Sequence, residues 1–513
     1  MDKKITTFQL CLLSTGGMLG CGWLFSPFYG YQTAGIGVLY SWVITAIITI
    51  IIGLSFAEVC SLFPVVGGIY RLIGITHNKD LAGIFLILGW LSYVVYLPLE
   101  AQSVIQYLGF WLPSLVTEIR GQIELSWAGI CLAAVIILSI TWFNTLLITK
   151  VAKANSLISM WKILIPLVIA VIAILGYGHW SYFSGKANMV NFSFENVLLA
   201  VTSSGLAFAF SGFQNGLIFA NQVKDPVKAL PYSLFMPVLI GFTLYASLSS
   251  LYLACLNGNS DLLMNTTAPL LGVLSLLGLN WLFTILFIDA VVAPLGTTNV
   301  YVAATSRILF SVGKELSPNS ILTKINKNNA PIVALWINAF IGIMFLFPFP
   351  TWKELVNFLS SIVVFAYLAG PVCVLALRKE QPSLERGFKL SHPNLVSYAG
   401  FICCSWLIYW SGVTNLGYLI VIILIVVIGY FFYNRVKVLS KTIGNIWYLL
   451  FYLGCLWFVS FLHLIKMIAF PFDNFIIGCI GYLFCHILVY YRLPSKQINI
   501  NINSLKQESC KIS

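Results

Sequence analysis

Apolar residues along this chain come in long runs, and short stretches holding most of the charge separate them. A helix needs about 20 apolar residues to cross the hydrocarbon of a bilayer. Fourteen runs approach or exceed that length, at 8–33, 36–62, 81–112, 127–147, 155–178, 195–221, 231–256, 281–308, 331–350, 355–377, 395–413, 416–433, 445–465 and 472–491. The third is long enough to predict a tilted helix, and the last four lie close together. Between the seventh and eighth, Asn257–Asn280 carries "APLLGVLSLLG", which predicts a short helix capping the outer face. The closing run "PSKQINININSLKQESCKIS" is polar and predicts a disordered tail.

Composition turns this pattern into a class. Of 513 residues 59% are hydrophobic and 9% charged, with a mean hydropathy of +0.93. Soluble domains are roughly 45–50% apolar and about 25% charged, so a soluble chain could not hide this much apolar surface. The prediction is an all-α integral membrane protein in a lipid bilayer. The net charge of +12 does not indicate a nucleic-acid partner, because the basic residues are scattered through short loops. With the N-terminus inside, 23 of the 28 basic residues fall on cytoplasmic segments and 4 on outer ones, and Lys162 lies within a span. A missed or extra helix would scramble this bias downstream, so the positive-inside rule supports both the count and the orientation, with both termini cytoplasmic. Eleven of the twelve cysteines fall in apolar runs and read as packing residues. No spacing suggests a metal site, a cofactor or a disulfide framework. The first run is longer than a signal-peptide core and shows no cleavage site. With no organelle signal in view, the expected location is a bacterial inner membrane.

The first run breaks its own pattern. In "TGGMLGCGWLF" four of the seven residues from Gly16 to Gly22 are glycine. The sixth run holds a counterpart, "FAFSGFQNG", Phe208–Gly216. Glycine in a membrane helix often serves close packing. Runs one and six, however, are five helices apart, so two sets of five would have opposite topology. Interrupted helices at matching positions of inverted halves point to a transporter's binding site. Half-helix N-termini at such a break suit a carboxylate.

These stretches, taken in order, resemble the amino-acid permeases of the APC superfamily. The resemblance rests on "GGMLGCGWLF", "SWVITAIITIIIGLSFAEVCSLFPVVGGIYRL" (Ser41–Leu72), "ANQVKDPVKALP" (Ala220–Pro231), "TSRILFSVGKE" (Thr305–Glu315) and "LRKEQPSLERGFKL" (Leu377–Leu390). "MWKILIP" and "IDAVVAPLGT" look most like the proton-coupled aspartate symporter branch. The resemblance implies a LeuT-type five-plus-five inverted repeat with helices 1 and 6 broken. A transporter core would fill 1–390, four further helices 391–493, and a polar cytoplasmic tail 494–513. It implies an amino acid or related amine as substrate. Its carboxylate and amino groups would meet the backbone of Met18, Gly20, Cys21 and Gly22, and of Phe208, Ala209, Phe210, Ser211 and Gly212. Cys21 stands where serine is common, Gln214 and Gln222 where acids are common, and Gly387 where proline is usual, so the substrate does not carry over with the fold.

Ionisable residues within spans default to a functional reading. Lys162 lies nine residues from Lys153, roughly 13 Å along a helix, at a depth similar to Thr297 and Thr298. Some proton-coupled relatives place a lysine ammonium where LeuT-type transporters hold a coupling sodium. Lys162 resembles that arrangement, with protons then the coupling ion; snorkelling to the interface is the plainer alternative. Glu100 and Asp289 are intramembrane acidic candidates. Counted from their helix ends they fall in the outer half, where packing or a bond to Tyr93 or Tyr96 would account for them. Glu58 reads as a gate or loop partner, and His463 and His486 as packing or lipid-edge residues. The expected activity is proton-coupled symport of a zwitterionic or acidic amino acid by alternating access. An exchanger of the same fold, a non-transporting sensor and a membrane enzyme such as an acyltransferase are the alternatives. The last needs a catalytic constellation that the five histidines do not form.

Overall fold

The computed structural model describes residues 5–63, 72–119, 121–146, 151–178, 192–218, 223, 225–256, 263, 266–316, 320–434 and 439–512. The Pro64–Tyr70 motif, Gln222 and much of the 257–265 loop lie outside them.

A helix occupies every one of the fourteen apolar runs. The first run is split into α1 (Thr7–Met18) and α2 (Gly22–Ala34), and α3 (Val38–Leu62) follows. The short α4 (Ile73–Thr76) leads into α5 (Lys79–Val94) and α6 (Tyr96–Leu108), which share the third run. Next come α7 (Trp127–Leu146) and α8 (Val151–Tyr177). The sixth run is cut into α9 (Phe194–Ser203), α10 (Leu206–Phe210) and α11 (Asn215–Ile218). Then α12 (Pro226–Leu256), α13 (Pro269–Leu276) and α14 (Asn280–Leu316) follow, α13 lying where the loop helix is expected. The rest are α15 (Ile332–Met344), α16 (Trp352–Tyr367), α17 (Ala369–Glu380), α18 (Pro393–Trp410), α19 (Val413–Asn434), α20 (Leu439–Leu464), α21 (Phe472–Tyr490) and α22 (Ser495–Ile512). Among the described residues nine helices, or up to eleven if two bent pairs each count as one, are long and apolar enough to cross a membrane. The bent pairs are α9 with α10–α11, at 54°, and α18 with α19, at 110°.

Three details depart from expectation. A hairpin of β1 (Val116–Ile119) and β2 (Gln122–Leu125) interrupts the all-α pattern, because "VTEI" and "QIEL" flank Gly121, whose φ of 74° suits a tight turn. The ninth run yields a helix of only 13 residues, roughly 20 Å long, shorter than the hydrocarbon. The tail is a helix rather than a disordered run. Ile498 and Ile502 fall one turn apart and bury themselves, and the Asn501 amide donates to the Gly74 and Ile75 carbonyls at 3.3 and 3.2 Å.

The packing order places the site. The most apolar 18 residues of the α16–α17 stretch are all buried and therefore central, whereas only 33% of the corresponding windows of α7 and α8 is buried. Most of their exposed side chains, such as Trp142, Leu164 and Leu175, are apolar, as lipid contact requires. Helices five runs apart pack together: α3 on α12, α6 on α14, and α7 on α15. The two broken helices meet as α1 on α11 and α2 on α10. At the end where α3 meets α17, Glu58 is buried beneath two arginines. Arg378 donates to both its oxygens at 2.8 and 2.7 Å, Arg386 lies 3.1 Å away, and the Leu390 N–H donates at 2.9 Å. Glu58 is thus the loop partner the sequence suggests.

Candidate functional site

The first break comes where Leu19 (φ −80°, ψ 69°) ends α1 and only Gly20 and Cys21 precede α2. In the sixth run Gly205 (φ 76°) separates α9 from α10, and its carbonyl accepts from the Ser26 hydroxyl at 3.0 Å. A second interruption runs from Ser211 to Gln214, with Gly212 at φ 101°, a conformation open chiefly to glycine. The two broken helices touch through their small residues. A Cβ on Gly22 would lie 3.0 Å from the Ala209 Cα, and one on Gly212 would lie 3.0 Å from the Met18 Cα. Backbone can approach backbone this closely only where side chains are absent.

Of the residues expected at the site, Met18, Gly20, Cys21, Gly22, Phe208, Ala209, Ser211 and Gly212 are brought together. Phe208 packs edge-on against Trp352, 6.0 Å between centroids. The Phe210 side chain turns elsewhere, against Trp42 and Tyr245. The Ser211 hydroxyl bonds the Tyr96 hydroxyl and the Phe208 carbonyl.

Glu100 is a correction. It does not sit above the site bonded to Tyr93 or Tyr96; its carboxyl group lies against Gly20 and accepts the Cys21 N–H at 2.8 Å. Counting from Leu112 does not locate it relative to the break, because α6 ends at Leu108 and the first break lies against the helix bearing Glu100. Its second oxygen is buried without a partner, and the Trp352 indole donates to the Cys21 sulfur at 3.2 Å.

Lys162 does not snorkel. Fully buried, its ammonium donates to the Gly16 carbonyl at 3.1 Å and to the Thr297 hydroxyl at 2.6 Å. The Thr297 oxygen is also within 3.2 Å of the Gly16, Leu19 and Ala293 carbonyls. The Gly16 and Leu19 carbonyls lie at the C-terminal end of α1, where the helix dipole favours a cation, and Ala293 is one turn back on the helix of Thr297. Thr298 stands apart, donating to Pro294 of its own helix at 2.9 Å. Glu100 and Asp289 both lie within electrostatic range of Lys162. Asp289 is buried on the face of α14 that carries Ala293 and Thr297, and it interacts with the Trp161 indole short of hydrogen-bond geometry.

Sequence reasoning missed a second polar group beside the interruption in the sixth run. Gln214 Oε1 accepts from the Gly212 N–H and the Tyr367 hydroxyl, both at 3.0 Å. Its amide donates to the Tyr93 hydroxyl at 3.3 Å, and Tyr93 donates to Asn215 Oδ1 at 2.7 Å. Tyr96 stacks on Tyr301 alongside, 3.7 Å between centroids. Tyrosine within apolar runs was the available signal, but the partners are distant in sequence. A small cavity lies behind the break, lined by Thr49, Phe208, Ser211, Phe213, Ser360 and Tyr367 among others. His463 is a further correction. Rather than merely packing, its two ring nitrogens face Glu195 at 3.6 Å and Asp473 at 3.3 Å. His486 faces the Tyr398 hydroxyl at 3.2 Å. Among the described residues no cluster of three or more His, Cys, Asp or Glu could hold a metal.

A multi-pass helical membrane protein with two interrupted helices abutting through glycine is built around exposed backbone, as in membrane carriers. A family model described as amino acid permease matches residues 5–455, and the chain belongs to that family. It is 31% identical to the glutamate/serine transporter AimA of Bacillus subtilis (strain 168), over 90% of this chain and 88% of that one. It is 25% identical to the aspartate-proton symporter of the same organism, over 97% and 98%. A third relative there, the branched-chain amino acid permease BcaP, is 28% identical over 85% and 94%. All three are named as transporters or permeases rather than enzymes.

Proposed function

We propose that this protein is a secondary active transporter that carries a zwitterionic or acidic amino acid together with protons, by alternating access around the two interrupted helices. The packing of helices five runs apart supports a LeuT-type five-plus-five repeat, and the fourteen apolar runs with their bias of basic residues support fourteen crossings and both termini in the cytoplasm of a bacterium. Substrate binds the backbone of Gly20–Gly22 and of Phe208–Gly212. The names of the glutamate/serine transporter and the aspartate-proton symporter support the substrate class.

The observation that carries the coupling is the Lys162 ammonium bound between the Gly16 carbonyl and Thr297. A protonated lysine there supplies the positive charge that the end of α1 calls for. Loss of that proton removes the charge and loosens α8 and α14 from the first break, so proton release and helix movement are linked. Glu100 and Asp289 set the field around it, with Glu100 also holding the Cys21 N–H. The test is uptake of labelled serine, glutamate and aspartate into proteoliposomes under a pH gradient and, separately, a sodium gradient. The expected result is pH-driven uptake that Lys162→Ala abolishes while the folded protein still binds substrate. Sodium-driven uptake in the parent, or undiminished pH-driven uptake in the variant, overturns the assignment.

A further inference from the structure

We propose that Gln214 is an occupancy latch: its side-chain oxygen holds the Gly212 N–H that a substrate takes on binding, and the same amide ties the sixth helix to α5 and α16. The inference rests on the amino-acid transport reading and adds to it a residue that reports whether the site is filled.

The geometry starts from the orphaned backbone. Unwinding at Ser211–Gln214 leaves N–H groups without helical partners, and in a dry interior each must be satisfied. The Gly212 N–H is satisfied by a residue two positions away, the Gln214 carbonyl oxygen at 3.0 Å. This local turn is easily exchanged for an external acceptor such as a carboxylate. The rest of the amide is not local. Tyr367, the last residue of α16, donates to the same oxygen at 3.0 Å, and the amide nitrogen donates to Tyr93 of α5 at 3.3 Å. Tyr93 passes the connection on to Asn215, at the start of α11, whose side chain lies against Gly17 of the first broken helix. Gln214 is buried, so an amide turned away from Gly212 gives up these partners out of reach of bulk solvent.

Three consequences follow. A bound carboxylate at Gly212 displaces the Gln214 oxygen, and the displaced amide loses its alignment with Tyr367 and Tyr93 as well. Occupancy is thereby converted into release of the sixth helix from α5 and α16. In the empty protein the amide competes with substrate for one N–H. The latch is neutral, so it competes through a single hydrogen bond and does not repel an incoming carboxylate. Gln214 acts through the backbone it caps and is a positioning residue.

The experiment measures equilibrium binding of radiolabelled serine, glutamate and aspartate to the purified full-length protein, and then uptake rates in proteoliposomes. A hydrogen bond of ordinary net strength corresponds to a factor of about three to ten in an equilibrium constant. Gln214→Ala is therefore expected to tighten Kd about three- to tenfold while lowering the maximal transport rate at least tenfold. Tyr367→Phe keeps the cap and cuts the tie, so it is expected to leave Kd within about twofold and to lower the rate. Gln214→Glu is expected to weaken binding at neutral pH, because an ionised side chain caps Gly212 more firmly and repels the substrate. A Gln214→Ala protein that elutes as a monodisperse peak yet binds no more tightly than the parent overturns the latch. So does one whose Kd and rate fall in the parent's range. If the parent itself binds none of the three amino acids, the transport reading fails first, and that outcome is distinct from a latch failure.

Discussion

Placing a methyl group on Gly20 is the most direct probe of the contact between Glu100 and the first break. A Cβ there would lie 2.7 Å from the Glu100 Cδ and 2.9 Å from Oε2, inside the separation that real contacts tolerate. The backbone cannot retreat, because Cys21 and Gly22 are packed against Trp352 and Ala209. The carboxyl group must therefore move, and the 2.8 Å bond from the Cys21 N–H is lost. Breaking a hydrogen bond to a carboxyl group costs about 1–3 kcal/mol, and residual overpacking adds about 1 kcal/mol. Gly20→Ala is expected to destabilise the protein by about 2–4 kcal/mol. Glu100→Ala alone leaves the Cys21 N–H buried and unpaired, at about 1–3 kcal/mol. In the double variant the added methyl enters the space the carboxyl group vacated, so the clash vanishes. The coupling energy should reach about 2–4 kcal/mol, well above the roughly 0.5 kcal/mol scatter of independent sites. The assay is the apparent unfolding midpoint of all four proteins in the same detergent. The double variant should be more stable than Gly20→Ala. Strict additivity would falsify the contact and return Glu100 to a position away from the break.

Gly22→Leu should abolish amino-acid uptake, because even its Cβ would press to 3.0 Å from the Ala209 Cα and drive the two broken helices apart; normal uptake by this variant would refute their close approach. Glu58→Ala strands two guanidinium groups, at 2.7 and 3.1 Å in the parent, and is expected to cost about 3–5 kcal/mol. Glu58→Gln should recover part of that loss in the same unfolding assay. His77, outside the spanning helices, faces the Leu488 carbonyl through Nε2 at 3.0 Å and Thr76 through Nδ1 at 2.8 Å. Burial pushes its pKa down from 6.5 to about 4. Between those values the unfolded chain binds a proton that the folded one does not, so stability is full above pH 6.5 and falls as pH drops, by about 3 kcal/mol in all. His77→Gln should flatten that acid-side loss, and an unchanged slope of midpoint against pH would count against it.

The helical pattern was legible because lipid imposes it: apolar length alone locates a crossing segment, and all fourteen runs carry a helix. The interruptions were legible for a related reason. "GGMLGCG" and "FSGFQNG" concentrate glycine and polar residues where a membrane helix has least cause to hold them. Lys162 and Thr297 were legible as a pair because depth along two helices can be counted from charged ends, but Thr298 was not separable from Thr297. One residue step rotates a helix by about 100°, and only the fold shows which hydroxyl faces Lys162. The partner of Glu100 was not legible for the complementary reason, since counting along a helix gives no lateral position and the Cys21 N–H lies 79 residues away in sequence. Gln214 looked like a lost acid rather than a cap because its partners, Tyr93 and Tyr367, lie 121 and 153 residues away. The tail misled because its isoleucines alternate, and the turn-spaced pair Ile498 and Ile502 gains meaning only once α4 offers a surface.

Cutting one helix at its middle creates two ends of opposite polarity facing each other. At the first break, α1 contributes carbonyl oxygens and a negative dipole end, and α2 contributes N–H groups and a positive one. This protein places a side chain of matching charge type at each end. The Lys162 ammonium meets the Gly16 carbonyl, and the Glu100 carboxyl group meets the Cys21 N–H. Each end is thus met from a different neighbouring helix, α8 for the carbonyl end and α6 for the N–H end, and the sixth helix packs beside them with Phe208 against Gly22 and the capped Gly212 against Met18.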